Sequence, residues 1–219
     1  YAVVVATVAV PAVLACLLLY RLALGVRGNA RDALFAPVAV ALGTPVWPFS
    51  TVLFGHVTAG AALLVAFWLL RSLRAGATRA RSWRAWGAGF AGGLAVLTEY
   101  TVAPLVIAIA GYGLYVLWEQ PRLRAPRFAI AAAAGALVPA LTLLAYNAAC
   151  FGSPWTLGYQ TLATAEFREI HAQGLVGIGW PSLESLWYLT FHPVRGLFAH
   201  APVLQLALVG LAALFRVPA

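Results

Sequence analysis

The arginines of this chain stand in short clusters between apolar stretches, and this spacing constrains the fold more than any other feature. Short loops rich in Arg or Lys stay on the cytoplasmic side of a membrane. We therefore predict that the clusters mark cytoplasmic loops, and that the four histidines lie at or near the external face. Twelve of the fourteen arginines belong to four such clusters: Arg21, Arg27 and Arg31; Arg71, Arg74, Arg79, Arg81 and Arg84; Arg122, Arg124 and Arg127; and Arg216.

The composition supports a membrane environment. The residues are 63% hydrophobic and 9% charged, whereas a soluble domain carries about 25% charged residues. The net charge of +8 would suggest nucleic acid if the arginines lined one surface. Because they lie between apolar segments, orientation and anionic lipid headgroups explain them better. We therefore expect membrane lipids as partners and no nucleic acid.

The predicted fold is all-α, a polytopic transmembrane bundle. A helix needs about 20 apolar residues to cross a bilayer. Residues 44–50 form an external turn, and residues 148–196 form a long external loop with short interfacial helices at 158–172 and 181–191. Residues 1–219 then belong to one transmembrane domain. About seven membrane segments are predicted, at 2–20, 33–43, 51–70, two within 85–118, 128–147 and 200–215.

The number of crossings within residues 85–118 determines on which side of the membrane the following loop lies. A single crossing would place Arg84 and Arg122 on opposite sides of the membrane, against the charge rule. Two short helices that meet at residues 98–101 return the chain to the cytoplasm instead. Pro104 favours a break there. This interpretation places Glu99 at the external tip of a hairpin.

Glu99 and His56 are the first candidate site residues. Ionisable groups at membrane depth are costly, so they suggest function. Glu99, beside Tyr100, could act as a base, bind a metal or a sugar hydroxyl, or simply cap a helix. His56, predicted about one turn inside its segment, could bind phosphate, pair with Glu99 or make an interhelical hydrogen bond. The spacing of His, Cys, Asp and Glu indicates no metal cluster.

Arg168 and Arg195 are the two arginines on the predicted external side. Guanidinium can grip two phosphate oxygens at once. Arg195 directly precedes a predicted membrane segment, where the phosphate of a lipid would lie, although a salt bridge to an external glutamate is the alternative. Arg168 lies between Glu166 and Glu169, so a local ion pair is predicted for it.

Four groups of short motifs, in order along residues 43–204, give the chain a family resemblance. It resembles bacterial membrane glycosyltransferases of the GT-C class, the family-39-like, phospholipid-carrier-dependent enzymes related to protein O-mannosyltransferases and aminoarabinose transferases. The motifs are GTPVWPFST at 43–51 with FGH at 54–56; AGGLAVLTEY at 91–100; YN at 146–147 with FGSP at 151–154 and GY at 158–159; and RGLF at 195–198 with APVL at 201–204.

This resemblance implies an inverting transferase in a bacterial inner or plasma membrane, active on its external or periplasmic face. Its donor would be a polyprenyl-phosphate sugar, and its acceptor a lipid, glycan or protein. Arg195 would hold the donor phosphate, while His56, Glu99, Tyr100 and Asn147 would line the cavity. The resemblance leaves a divalent metal open and implies no other cofactor.

The resemblance also implies a catalytic Asp in the first external loop. Asp32 is the one Asp here, and it falls in a predicted cytoplasmic loop. Because the chain lacks Met and opens at Tyr1 inside an apolar run, we expect a fragment whose catalytic Asp lies upstream, with Glu99 as a candidate accessory residue. The alternatives are a transporter or flippase of lipid-linked sugars and a noncatalytic membrane scaffold.

Overall fold

A computed structural model describes residues 1–74, 81–120, 126–173 and 179–214 of the protein. Within these ranges the regular structure is helical and no strand occurs, so the all-α prediction is confirmed. The chain folds into two compact units. The first unit comprises Tyr1–Leu53 and Trp180–Ala219, and the second comprises Phe54–Gly179. The prediction of one transmembrane domain stays a prediction.

The first unit opens with a long helix that folds back on a shorter one. Its helices are α1 (Ala2–Val4), continued by a π-helical turn (Val5–Ala9) into α2 (Val10–Arg27), then α3 (Ala30–Gly43), α4 (Val46–Phe49), α10 (Leu183–Thr190), α11 (Leu197–His200) and α12 (Gln205–Leu214), the last preceded by a 3₁₀ turn (Pro202–Leu204). Gly28 ends α2 with a left-handed φ of 69°, a conformation that glycine adopts without steric cost. Asn29 then caps α3, because its side chain accepts a hydrogen bond from the Arg31 amide at 2.9 Å.

The second unit contains a bundle of four long helices. Its helices are α5 (Gly55–Arg74), α6 (Arg81–Thr98), α7 (Ala103–Glu119), α8 (Pro126–Phe151) and the short α9 (Ala165–Ala172), with 3₁₀ turns at Tyr100–Val102 and Gly158–Thr161. Helix α6 packs against both α5 and α8. Small residues let α6 and α8 cross closely: a Cβ built on Gly89 would lie 1.8 Å from the Ala132 carbonyl oxygen, and one on Gly135 would lie 1.9 Å from that of Trp86. Such small-residue contacts are common between membrane helices.

The predicted break within residues 85–118 is confirmed. Helix α6 ends at Thr98, and Glu99 adopts an extended conformation with φ −151° and ψ 109°. A proline in the first turn of α7 fits that position, since proline has no amide hydrogen to donate. The chain therefore leaves α6 and enters α7 through a short 3₁₀ turn, with Glu99 at the junction.

Among the described residues, four helices are long and apolar enough to cross a membrane, which indicates a membrane protein. The structure does not confirm the count of seven. Helix α3 has only 14 residues, the apolar stretch Pro202–Ala213 is also short, and α6 is not among the four candidates. Residues 215–216 lie outside the described residues. The candidates are Ala2–Val26, Gly55–Arg74, Tyr100–Glu119 and Pro126–Phe151.

Several predicted boundaries were wrong. The predicted turn at 44–50 contains the helix α4, and the segment predicted at 51–70 starts only at Gly55. His56 is therefore the second residue of α5 and not one turn inside it. Helix α8 extends through Phe151, so it includes the first residues of the predicted loop. Of the two short helices predicted within that loop, the first, at 158–172, is a 3₁₀ turn followed by the shorter α9, and the second, at 181–191, is found as α10.

Candidate functional site

Polar side chains meet at one end of the second unit, where three segments come together. The beginning of α5 supplies His56, the end of α6 leads into Glu99, and the 3₁₀ turn that follows α8 supplies Tyr159. These residues are far apart in the sequence, so their contacts depend on the fold. We call the set His56, Glu99, Tyr100, Thr101 and Tyr159 the Glu99 cluster.

The Glu99 carboxylate is the centre of this cluster. His56 Nδ1 lies 3.2 Å from Oε2, which agrees with one of the roles predicted for His56. The hydroxyls of Tyr159 and Thr101 each donate a hydrogen bond to Oε1 at 3.2 Å. The side chain of Glu99 is 14% exposed, whereas that of His56 is 55% exposed. The carboxylate is thus largely enclosed, and the imidazole beside it reaches the surface.

Gly55 explains how α5 approaches Glu99 so closely. A Cβ at this position would lie 2.9 Å from the Thr98 carbonyl oxygen and 3.4 Å from Glu99 Oε2. Any side chain here would push the start of α5 away from the end of α6. The glycine next to His56 therefore allows the imidazole and the Glu99 carboxylate to come within 3.2 Å of each other.

The side chain of Tyr159 contacts Glu99, Tyr100 and His171. Its ring meets the edge of Tyr100 at a centroid distance of 5.6 Å and stacks on His171 at 4.3 Å. Partial burial, followed by the charge and hydrogen bond of Glu99, raises the pKa of Tyr159 above its usual value. The phenol therefore stays protonated and remains a hydrogen-bond donor to the carboxylate.

Asn147 is buried at 1% exposure near the end of α8. Its Nδ2 donates to the Pro154 carbonyl at 3.3 Å, and its Oδ1 has no hydrogen-bond partner among the described residues. Gly152, with a φ of 78°, ends the helix between these two residues. Asn147 thus fixes the turn that leads from α8 towards Tyr159, and its cavity-lining role stays a prediction.

Arg195 belongs to the first unit and lies in an exposed turn before α11. Two histidines hold this turn: the Val194 amide donates to His192 Nδ1 at 3.2 Å, and His200 Nε2 donates to the Val194 carbonyl at 2.7 Å. Among the described residues of this unit, no carboxylate pairs with Arg195. The exposed Arg195 therefore belongs to a turn whose backbone is stabilised by hydrogen bonds with two histidines.

The local ion pair predicted for Arg168 was wrong. Its guanidinium Nη1 donates to the Leu162 carbonyl at 3.0 Å, and neither Glu166 nor Glu169 pairs with it within the described part of the chain. The carbonyl comes just before α9, so the arginine ties the helix to the segment that leads into it.

A second charged group, at the other end of the same unit, was missed by sequence reasoning. Arg74 Nη2 lies 2.5 Å from Glu119 Oε2, and the Tyr115 hydroxyl donates to Glu119 Oε1 at 3.0 Å. Tyr115 and Glu119 are four residues apart, a spacing that puts them on one helix face. That spacing could have revealed the pair, but the contact with Arg74 depends on how α5 and α7 pack.

No group of three His, Cys, Asp or Glu side chains able to hold a metal occurs in the described ranges. Comparisons with known protein families, with curated proteins and with solved structures found no match to this chain.

Proposed function

We propose that the protein transfers a sugar from a polyprenyl-phosphate carrier to an acceptor hydroxyl on the external or periplasmic face of the membrane. The observation that carries this proposal is the meeting of separate motifs at Glu99. Three of the stretches on which the GT-C resemblance depends meet here. AGGLAVLTEY at 91–100 contains Glu99, and FGH at 54–56 and GY at 158–159 supply His56 and Tyr159, which contact its carboxylate.

The Glu99 cluster is suited to binding a polar ligand. A carboxylate has about four acceptor positions, and His56, Tyr159 and Thr101 engage three of them. A sugar or acceptor hydroxyl could donate to the remaining position. We therefore assign Glu99 an accessory, hydroxyl-binding role, with Tyr100 and the exposed face of His56 beside it.

The proposed reaction is an inverting displacement. An acceptor oxygen attacks the anomeric carbon of the sugar, the bond from that carbon to the phosphate oxygen breaks, and polyprenyl phosphate leaves. The hydroxyl proton passes to a carboxylate base, which the family resemblance assigns to an Asp of the first external loop. Arg195 would offset the charge that develops on the leaving phosphate.

The test uses the protein expressed from its whole gene and purified in detergent. It would be incubated with undecaprenyl-phosphate hexoses and pentoses and a membrane lipid extract, and glycosylated product would be measured. We expect product from one donor, and a loss of about 100-fold or more in Arg195→Gln. Glu99→Gln should raise KM for the sugar. Matched controls are Arg21→Gln and Glu169→Gln, which should retain full activity.

The experiment also separates the transferase from a transporter or flippase. A transferase makes product in micelles, where there are no compartments. A flippase makes none there, but moves the lipid-linked sugar between leaflets of a vesicle. Movement in vesicles without product in micelles would overturn the proposal, and so would full transfer activity in Arg195→Gln.

A further inference from the structure

An apolar cavity runs along the inside of the second unit, between α7 and α8. It encloses about 540 Å³, within the range of roughly 300–1,000 Å³ that is usual for ligand pockets. Every residue that lines it is apolar or glycine, and all four long helices of the unit contribute. The glycines of α6 form part of its wall.

The cavity is long as well as apolar. Along α8 its lining runs from Phe128 to Leu143, which corresponds to about 22 Å of helix. This exceeds half of the roughly 30 Å hydrocarbon thickness of a bilayer. Water would find no hydrogen-bond partner on these walls, so a hydrocarbon chain is the occupant that the chemistry favours.

Cationic groups lie at one end of the cavity. Phe128, which lines it, has the guanidinium of Arg127 over its ring at 4.9 Å. Arg84 precedes the lining residue Ala85, and its Nη1 donates to the Ser72 carbonyl at 2.8 Å. Arg84 Nε is buried and has no hydrogen-bond partner among the described residues.

The single carboxylate described at this end is already engaged. Glu119 pairs with Arg74, so Arg84 and Arg127 have no carboxylate partner within the described ranges. An apolar cavity that has guanidinium groups without a carboxylate partner at one end is complementary to a lipid that carries a negative headgroup.

We propose that this cavity binds an anionic phospholipid, with one acyl chain between α7 and α8 and the phosphate against Arg127 and Arg84. The phosphate would lie at the opposite end of the second unit from the Glu99 cluster, whereas the apolar lining extends along α6 as far as Val96. The site does not depend on glycosyl transfer, so either proposal can fail alone.

The test is native mass spectrometry of the delipidated protein in detergent, titrated with dioleoyl phosphatidylglycerol or dioleoyl phosphatidylcholine. The first lipid should bind at several-fold lower concentration than the second. Arg127→Gln should weaken binding of phosphatidylglycerol about fivefold. The matched control Arg21→Gln, which removes an arginine of the first unit, should bind it as the wild type does.

A second variant tests the acyl-chain position. Ala133 lines the cavity, whereas its neighbour Ala134 does not. Ala133→Phe should fill the cavity and abolish binding of phosphatidylglycerol, whereas Ala134→Phe should leave that binding unchanged. Elution of both variants at the wild-type volume in gel filtration would show that both fold. Equal binding of the two lipids, or undiminished binding in Ala133→Phe, would overturn the proposal.

Discussion

Glu99 joins three parts of the second unit through its carboxylate. It bonds with His56 at the start of α5, with Tyr159 in the turn after α8, and with Thr101 in its own turn. An enclosed carboxylate would be costly without such donors. The cluster therefore contributes to stability, whatever ligand it binds.

Replacing Glu99 with Ala should destabilise the protein by about 1–3 kcal/mol, because three hydrogen-bonding partners lose their acceptor. The measurement is thermal unfolding in detergent. Glu169→Ala removes an exposed glutamate with no described ion pair and should leave the melting temperature unchanged. Equal melting temperatures for Glu99→Ala and the wild type would contradict the prediction.

Tyr159 makes the stability depend on pH in the alkaline range. Since the folded state raises the pKa of Tyr159 above its ordinary value of about 10, its contribution is fully present below pH ~10. It is lost as the pH rises through the raised value. Wild type should therefore lose more stability between about pH 9 and 11 than Tyr159→Phe does.

Unfolding curves collected across that range provide the measurement. Tyr188→Phe, a change in the first unit, is the control and should keep the wild-type profile. Parallel loss of stability in wild type and Tyr159→Phe would show that the phenol does not carry this dependence.

Sequence reasoning reached part of the Glu99 cluster. It singled out His56 and Glu99 because charge is rare in an apolar chain, and one of its alternatives paired them. Tyr159 entered only through a resemblance, since no local pattern relates it to a carboxylate 60 residues away. Long-range partners depend on helix packing, which periodicity does not encode.

At the scale of elements, the crossing of α6 and α8 determines the shape of the second unit. Gly89 and Gly135 lie directly against the backbone of the opposite helix. Their contact brings α6 and α8 close together, while α7 packs mainly on α5. The apolar cavity between α7 and α8 follows from this arrangement.

Gly89→Ala should separate α6 from α8, because the new methyl group would overlap the Ala132 carbonyl. Overpacking typically costs about 1–3 kcal/mol, and a backbone obstacle cannot move as a side chain can. Gly60→Ala, on α5, meets nothing within 4 Å and is the matched control. The melting temperature in detergent should fall for the first variant and stay or rise for the second.

The break between α6 and α7 was predictable, because arginines flank an apolar stretch too long for one crossing. The residue at which α5 begins was not predictable from the sequence. Hydropathy extends the segment back to residue 51, but the hydroxyls of Ser50 and Thr51 bond to the Trp47 and Pro48 carbonyls at 2.7 and 2.8 Å. These side-chain bonds favour a turn over helix continuation, and a hydropathy average does not register them.

At the scale of the whole chain, charge separates along the helices of the second unit. The Glu99 cluster lies where α5 begins and α6 ends, whereas Arg74 lies where α5 ends and Arg84 lies where α6 begins. From His56 to Arg74 the helix rises about 27 Å, close to the roughly 30 Å of a bilayer core. The two ends are therefore spaced to face opposite sides of a membrane.

The positive-inside rule predicts which side is which. In a background lacking Cys16 and Cys150, the variant Thr101→Cys should react with a membrane-impermeant maleimide on intact cells. Ser82→Cys should react only after permeabilisation. Both positions are exposed in the structure. Labelling of the second variant alone on intact cells would reverse the orientation and remove the external site from the proposed function.

The position of α6 also affects how the protein is made. This helix leads directly into Glu99 and packs on both α5 and α8, yet it is not among the four helices apolar enough to cross a membrane. The insertion machinery selects segments by hydrophobicity, so α6 alone is a weak substrate for it. Its packing partners are α5, which is synthesised before it, and α8, which is synthesised after it. Because α8 follows α6 in the chain, the contacts between these two helices can form only after α8 has been synthesised.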